Sequence, residues 1–466
     1  MNSSKDILLG RLRNGESLSG GQQVKLTLLL AVPAILAQLS SVLMQYIDFA
    51  MVGRLGSDQA ASIGLVSSCG WLLTGFAMAV MTGFTVQVAH ACGAKDFGKA
   101  RNMLRQGLVS VFLFSLVLGV LGVMISGRLP VWLGGTPEIV PDASAYFRIY
   151  TLFFPVGMAG YFASASVQAS GNMKVPSIVY ICMCALDVVF NYIFIYMLDM
   201  GVEGAAIGTG VAETLATAFG IWYAVTQSRE LRLTGTRGPF VPSRDTLHTA
   251  FGITGPLWLQ NIVMRGAYVA STLIVAPLGP VSIAANTLAI TAESFCYMPG
   301  FGLEEASTTL VGQSLGAKRM NMARRFGWIT IGMAMLIMSL LAVAMYAFAT
   351  QMMGIMSSDP EVIALGAKVL RIEAFAEAFF AAAIVSVGVC AGAGETLVPT
   401  LINFGTMWVI RIGLALILTP RYGLTGYWIA MCIELSIRGV IFLLYVRSGH
   451  WLRKWKAAPA TLGNNC

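Results

Sequence analysis

The sequence predicts an all-α integral membrane protein, with twelve transmembrane helices in two six-helix lobes related by a pseudo-two-fold axis along the membrane normal. Three observations support this fold class: the composition, a series of long apolar segments, and an internal repeat. Of the 466 residues, 56% are hydrophobic and only 11% are charged. Soluble domains contain about a quarter charged residues, so the main solvent of this chain is lipid.

The apolar segments are long enough to cross a bilayer, which takes about 20 residues of helix. Charged residues, glycines and prolines divide them into six helices in each half. The first six are predicted at 27–52, 60–91, 107–127, 143–169, 176–198 and 204–226. The second six are predicted at 252–275, 281–314, 325–349, 363–391, 398–418 and 424–446. The predicted domains are therefore an N-lobe at 1–227, a linker at 228–250 and a C-lobe at 251–466.

The distribution of positive charge predicts the orientation, because loops rich in lysine and arginine stay in the cytoplasm. With the amino terminus inside, 21 of these residues fall in cytoplasmic segments and six fall outside. The net charge of +8 is then a topology signal and does not indicate nucleic-acid binding. No small-residue cleavage pattern follows Arg13, so we expect the first helix to be retained. These features predict a multi-pass protein of the cell inner membrane with both termini and the linker in the cytoplasm.

An internal repeat relates the two halves at a constant offset of 223 residues. The matching pairs include Pro33 with Pro256, Gly93-Ala94-Lys95 with Gly316-Ala317-Lys318, and Arg148 with Arg371. Two copies of six spans enter the membrane in the same direction, which predicts the axis along the membrane normal and a substrate cleft between the lobes. Two similar bundles around a central site are typical of secondary carriers.

Polar side chains in the first half are predicted to form a cation site. Asp48 lies on one polar stripe of the first helix, together with Gln38 and Gln45. Asp187 and Asn191 share one face of the fifth helix, and Thr209 lies near the start of the sixth. At 1.5 Å rise per residue, these groups lie at a common depth of roughly 7 to 11 Å below the outer boundary. Their oxygen atoms can bind H⁺ or Na⁺, and the sequence does not distinguish the two ions.

Polar side chains in the second half are predicted to line the substrate cavity. Glu293 and Tyr297 share a stripe of the eighth helix, provided that the helix continues through Pro299 and Gly300. Arg265 on the seventh helix needs an acidic partner, for which Glu293 and Glu377 are candidates. Glu434 and Arg438 are expected to pair at i and i+4 on the twelfth helix. The predicted cavity residues are Gln38, Gln45, Asn261, Arg265, Glu293, Tyr297 and Glu377.

Other chemistry has little support in the sequence. His90, His248 and His450 lie far apart, and the eight cysteines show no metal-binding spacing. No nucleophile and base occur at a workable spacing. We therefore expect no catalytic residues, no structural metal and no cofactor apart from the coupling ion.

Several motifs resemble the multidrug and toxic compound extrusion (MATE) family. They are the run from Asp48 to Gly56, the two GAKxxxxAR copies, the run LDVVFNYIFIY that ends at Tyr196, and Val-Gly-Gln at 311–313. The resemblance implies two lobes with alternating access, and export of amphipathic, often cationic compounds in exchange for Na⁺ or H⁺. It places the first-lobe cation site of that family on Asp48, Asp187, Asn191 and Thr209.

The chain departs from the family pattern in two places. Many members carry Asn and then Asp on the fifth helix, whereas this chain has Asp187 and then Asn191. The second-lobe acids of some branches fall on Met264 and Phe380 here. The chain therefore lacks the acids of that second-lobe type of coupling, and Glu293 or Glu377 is the alternative acid in this half.

The sequence thus predicts a monomeric secondary active antiporter, with small organic substrates and the lipid bilayer as its only partners. The main alternative is a flippase for a lipid-linked precursor, a function found in the same superfamily. Such carriers tend to line their cavity with basic residues, whereas acids predominate here. A membrane-embedded enzyme is a weaker alternative because no reactive cluster is present.

The predicted orientation can be tested with reporter fusions at the 228–250 linker. We expect a fluorescent protein fused there to be active and a periplasmic phosphatase fused there to be inactive, because this segment carries Arg229, Arg232, Arg237 and Arg244. A fusion after Arg128, on the predicted outer side, is the control and should give the reverse. Phosphatase activity at the linker would contradict the topology.

Overall fold

The structure, a computed structural model, describes residues 4–457, and its regular structure over that range is entirely helical. Twelve long helices, named α1 to α12 in chain order, make up most of the chain. The first half contains α1 (Gly20–Gly53), α2 (Ser57–Gly93), α3 (Phe97–Ile125), α4 (Val140–Ala169), α5 (Lys174–Met197) and α6 (Gly201–Gln227). The second half contains α7 (Arg244–Leu278), α8 (Pro280–Gly316), α9 (Met320–Met356), α10 (Pro360–Glu373 and Glu377–Gly392), α11 (Leu397–Tyr422) and α12 (Leu424–Ser448).

These helices make the chain a multi-pass membrane protein. Within the described residues, nine are long and apolar enough to cross a bilayer, and α10 is a tenth if its two parts form one span. The other two, α4 and α8, have 30 and 37 residues. Both exceed the ~20 residues that a span requires. All twelve helices predicted from the sequence are present.

The helices extend further than the apolar segments that predicted them. Helix α1 begins at Gly20 and α3 at Phe97, whereas the predicted starts were 27 and 107. At the start of α3, the Asp96 side chain accepts a hydrogen bond from the Lys99 backbone N–H at 2.8 Å. A helix continues into water wherever its terminal backbone groups are capped, so polarity alone placed these boundaries too late.

Helix α10 is not continuous, and the prediction of one helix over 363–391 is wrong in this respect. The chain bends by 61° between Glu373 and Glu377. The intervening residues, 374–376, include no proline or glycine, so the local sequence gave no signal for a break. By contrast, α8 continues through Pro299 and Gly300. The predicted polar stripe with Glu293 and Tyr297 depended on this continuity.

The helices pack into two compact units. One consists of Leu36–Trp258, and the other combines Met1–Ile35 with Leu259–Cys466. The divisions fall inside α1 and α7, and they lie 223 residues apart, which is the offset of the sequence repeat. The predicted linker at 228–250 belongs to the first of these units and does not mark its boundary. That 1–227 and 251–466 act as the two lobes during transport stays a prediction.

The helix Ser4–Arg13 precedes α1 and was not predicted. It buries Leu8, Leu9 and Leu12. The Arg13 side chain donates to Gln313 Oε1 on α8 at 3.1 Å, and the Arg319 side chain donates to the Glu16 backbone carbonyl at 2.6 Å. These contacts attach the amino-terminal segment to the unit that holds α8 and α9.

Candidate functional site

Three of the predicted cation-site residues meet inside the unit Leu36–Trp258. The side-chain amide of Asn191 on α5 donates to Asp48 Oδ1 on α1 at 3.0 Å and to Asp187 Oδ2 at 3.1 Å. One neutral amide therefore bridges two carboxylates. The two aspartates also lie within direct hydrogen-bonding range of each other, which allows them to share a proton.

The backbone of helix α6 lies very close to α5 beside this cluster. The Thr209 side chain approaches the Asp187 carboxylate. At the preceding residue, Gly208, an added Cβ would collide with the amide oxygen of Asn191. At Gly204, one turn earlier, it would lie 2.7 Å from the Phe194 carbonyl oxygen. The two glycines are needed because no side chain fits between these helices.

The cluster is buried and has oxygen atoms available for a ligand. Asp187 is 0% exposed and Asn191 is 1% exposed. Asp187 Oδ1 and Asn191 Oδ1 accept no hydrogen bond from the described part of the chain, and neither aspartate forms an ion pair there. Burying a carboxylate without a counter-charge is costly. A proton or a hard cation such as Na⁺ would neutralise it, and carboxylate, amide and hydroxyl oxygens are suitable ligands.

A further carboxylate on α6, that of Glu213, was not predicted from the sequence. It lies one helical turn after Thr209 on α6, on the same face. It lines a small chamber with Tyr161, Tyr180 and Thr217, and Gly157 leaves room for it, since an added Cβ there would lie 2.9 Å from Glu213 Oε2. The i and i+4 spacing from Thr209 was the available signal.

A second buried cluster lies in the other unit and combines acids with arginines. Glu434 Oε2 on α12 accepts from Arg411 Nη2 on α11 at 2.7 Å and from Arg411 Nε at 3.0 Å. Arg438 Nε lies 3.2 Å from Glu434 Oε1, so the predicted i and i+4 pair is present. Arg411, which the sequence analysis did not assign to this pair, is thus the main partner of Glu434.

The remaining acids of this second cluster lack such partners. Glu373 and Glu377 are both 0% exposed, and none of their four oxygen atoms has a hydrogen-bond partner among residues 4–457. The bend in α10 places these two residues at the adjoining ends of its two parts. The cluster with Glu293 and Glu434 therefore contains four glutamates and two arginines, Arg411 and Arg438, so two negative charges are uncompensated if every acid is ionised.

The structure corrects the expectation that Glu377 pairs with Arg265. Glu377 forms no ion pair or hydrogen bond within the described residues, so it does not pair with Arg265. The positive charge that acts on Glu293 is that of Arg411, whose guanidinium is paired with Glu434. Sequence spacing did not reveal this electrostatic interaction, since Arg411 lies more than 100 residues from Glu293.

The other predicted cavity residues lie in both units. Gln38 and Gln45 on α1 and Asn261 and Arg265 on α7 are half-buried. Tyr297 on α8 packs edge-on against the Phe380 ring, with centroids 5.7 Å apart. The Arg438 guanidinium lies 5.6 Å from the centroid of the Phe380 ring. That these residues line one common cavity stays a prediction.

Twelve membrane helices, an internal repeat and buried carboxylates in both halves define a membrane transport protein. The family model described as MatE matches residues 33–193 and 256–417, which is more than half of the chain. The chain belongs to this family and is a MATE family transporter. The two matches begin at Pro33 and Pro256, so they reproduce the 223-residue repeat.

Similar proteins match over nearly their whole length. A probable multidrug resistance protein, NorM, of Thermotoga maritima is 25% identical over 437 residues, which cover 91% of this chain and 92% of the relative. Another probable multidrug resistance protein NorM, from Chromobacterium violaceum, is 26% identical over 456 residues, which cover 94% of this chain and 96% of the relative.

Solved structures show the same fold. The Vibrio cholerae MATE transporter VcmN, in a mutant form, has a TM-score of 0.86 at 21% identity and covers 97% of this chain and 99% of its own. A Pyrococcus furiosus transporter of the MOP superfamily has a TM-score of 0.86 at 19% identity, and the match covers 98% of this chain and 100% of that transporter. At these identities the likeness shows the architecture of twelve helices in two lobes.

The close approach of α6 to Asn191 gives a test of the first cluster. We expect Gly208→Ala to reduce transport roughly 5- to 150-fold, because overpacking that costs about 1–3 kcal/mol would push the Asn191 amide away from both aspartates. Efflux of a fluorescent organic cation, at matched protein level in the membrane, measures the effect.

The matched control is Gly64→Ala on α2, where an added Cβ meets nothing within 4 Å. Both changes replace a helical glycine by alanine, so their effects on helix propensity are similar. Wild-type efflux by the Gly208→Ala variant would show that the Asn191 bridge is not needed for transport.

Proposed function

We propose that this protein is a secondary active antiporter that exports amphipathic, cationic organic compounds in exchange for H⁺ or Na⁺. The relatives named as multidrug resistance proteins support export of several unrelated compounds. The observation that carries the proposal is the bridged pair of Asp48, which is half-buried, and Asp187, which is fully buried; neither has a positive partner in the described residues. This pair is the proposed coupling site, with Asn191 and Thr209 as neutral ligands.

The coupling follows from the charge of this pair. With both aspartates ionised, the pair favours a state in which water or a cation reaches it, because isolated charges in a low dielectric are unfavourable. Binding of H⁺ or Na⁺ from outside removes that penalty and favours the state that closes the outer side. The ion therefore shifts the equilibrium between states by its differential affinity, which is the requirement for alternating access.

The proposed substrate region is formed by the acids and aromatic rings of the second half. Glu293, Glu373 and Glu377 provide carboxyl groups that a bound cation would keep ionised, and Tyr297 and Phe380 provide aromatic faces for an organic cation. Arg411 and Arg438 reduce this charge by pairing with Glu434. The net excess of acid favours cationic or neutral cargo.

The same charge balance argues against the flippase alternative. A lipid-linked pyrophosphate would need basic residues, whereas the buried clusters of both halves contain more acids than arginines. The Pyrococcus furiosus structure is described as having a binding pocket of reversed polarity that suggests a different function. In this chain the acids of the buried clusters support export of cations.

The proposed setting is the cell inner membrane, with both termini in the cytoplasm and the monomer as the functional form. The positive charges at 229–244 and 447–456 support this orientation. The transport cycle needs no cofactor besides the coupling ion.

The first functional test is Asp48→Asn. We expect the variant to insert normally and to lose coupled efflux, because the amide preserves the shape of the side chain and removes the charge that binds the ion. Proteoliposomes with a pH gradient or a Na⁺ gradient, measured in separate experiments, would also identify the ion. Asp58→Asn, at an exposed position at the start of α2, is the control. Normal coupled efflux by the Asp48→Asn variant would exclude the proposed site.

The second functional test separates the roles of the two halves. We expect Asp187→Asn to weaken ion exchange for every cargo, because it removes one of the two bridged carboxylates. Glu293→Gln should instead change which cations are exported and leave ion-dependent exchange in place, since Glu293 faces Arg411 and lies in the proposed substrate region.

This comparison needs two structurally unrelated cargoes and a direct measurement of ion flux. Loss of ion flux in the Glu293→Gln variant together with normal flux in the Asp187→Asn variant would reverse the assignment of the two halves.

A further inference from the structure

An open cavity of about 400 Å³ lies where the first turns of α9 meet the last turn of α12. It is rich in arginine, and we name it the arginine cavity. Its lining residues are Gln23, Arg324, Arg325, Trp328, Ile329, Val446 and Arg447. No acidic side chain is among them.

The three guanidinium groups of the arginine cavity have no protein counter-charge. Arg324, Arg325 and Arg447 are exposed, and within residues 4–457 none of them forms an ion pair with an acidic side chain. Three positive charges converging on one cavity repel one another unless an anion lies between them. The planar guanidinium group matches the oxygen atoms of a phosphate.

The first half shows how the same place in the repeat is covered by protein. At the 223-residue offset, Trp328 corresponds to Arg105. Arg105 is 3% exposed, and its Nη2 donates to the backbone carbonyl and the hydroxyl of Thr236 at 2.7 and 2.6 Å. The segment after α6 thus covers this end of α3, with Leu231 fully buried beneath it.

In the second half the segment after α12 approaches this place only at its start, where a Cβ added to Gly449 would lie 2.6 Å from Arg324 Nη2, and Arg324, Arg325 and Arg447 stay exposed. After α12 the chain turns towards the segment between α10 and α11, where Trp455 Nε1 donates to the Ala393 carbonyl at 3.0 Å and Lys454 lies 3.2 Å from Glu395. Residues 458–466 lie outside the described range, and they contain no Asp or Glu. Residues 449–457, which the structure does describe, contain no Asp or Glu either.

An apolar track leads from the cavity along α9. Leu336, Leu340 and Val343 are each more than 60% exposed. At 100° per residue they lie within about 60° of the direction of Arg325. Trp328, at the level of the cavity, is 41% exposed, and tryptophan is enriched where the hydrocarbon region meets the head groups.

We propose that the arginine cavity binds the phosphate of an anionic phospholipid, whose acyl chains lie along the exposed face of α9. The three guanidinium groups select the negative head group, and the apolar track selects a lipid over a soluble phosphate. Basic pockets between membrane helices bind anionic head groups in this way. The lipid replaces the cover that the 228–243 segment supplies in the first half.

The test compares two triple variants of the full-length protein, each lacking three positive charges. Arg324→Gln/Arg325→Gln/Arg447→Gln removes the cavity charges. Arg229→Gln/Arg232→Gln/Arg237→Gln is the matched control, because these exposed residues lie in the segment after α6. Native mass spectrometry in detergent, with added phosphatidylglycerol or phosphatidylcholine, measures lipid retention. At ~1 kcal/mol per charge, we expect the cavity variant to bind phosphatidylglycerol roughly 100-fold more weakly and the control to change less than about 3-fold.

Several outcomes would overturn the proposal. Equal loss of phosphatidylglycerol in both triple variants would indicate attraction by net charge alone, and equal retention of phosphatidylcholine would exclude head-group selection. Thermal stabilisation by inorganic phosphate as strong as that by the lipid would indicate a soluble ligand. If the triple variant does not fold, Arg325→Gln is compared with Arg232→Gln, and equal lipid binding by these two would likewise exclude the site.

Discussion

The fold depends on one constraint, which is that the hydrocarbon core of a membrane offers no water to a polar group. Twelve helices satisfy the backbone, because each peptide group bonds within its own segment. Helix formation does not satisfy polar side chains, so each buried carboxylate needs its own partner inside the protein. Asp48 and Asp187 share the Asn191 amide, and Glu434 is held between Arg411 and Arg438. Among residues 4–457, the oxygen atoms of Glu373 and Glu377 have no hydrogen-bond partner, so these two acids mark places where a cation or a proton is most favourable.

The two halves use one scaffold for different chemistry. The repeat offset pairs Asp48 with Ser271 and Asp187 with Ile410, so the first cluster has no acidic counterpart at the same positions. Arg411 in turn corresponds to Val188. Both halves have the same helices because a membrane helix requires only sufficient length and apolar side chains, and many different sequences meet that requirement. The charged residues are free to differ, since each forms a local cluster within its own half.

The sequence was sufficient for the helix count, the repeat and the meeting of Asp48, Asp187 and Asn191, because these follow from composition, spacing and helical depth. It was not sufficient for contacts between distant helices. The Arg411 ion pair with Glu434 depends on how α11 and α12 pack, and the bend of α10 occurs without proline or glycine. Glu213 lies one helical turn beyond Thr209, so a criterion of common membrane depth does not include it, although its spacing places it on the same face of α6.

The division of α1 and α7 between the two compact units has a consequence for synthesis on the ribosome. The unit Leu36–Trp258 requires the first part of α7, so the first half of the chain lacks part of its packing until residue 258 has been made. The other unit requires residues up to Ile35, which are synthesised first and must wait for Leu259 and the residues after it. Neither compact unit therefore coincides with one repeat of the sequence, and the packing of each is complete only when parts of both repeats have been translated.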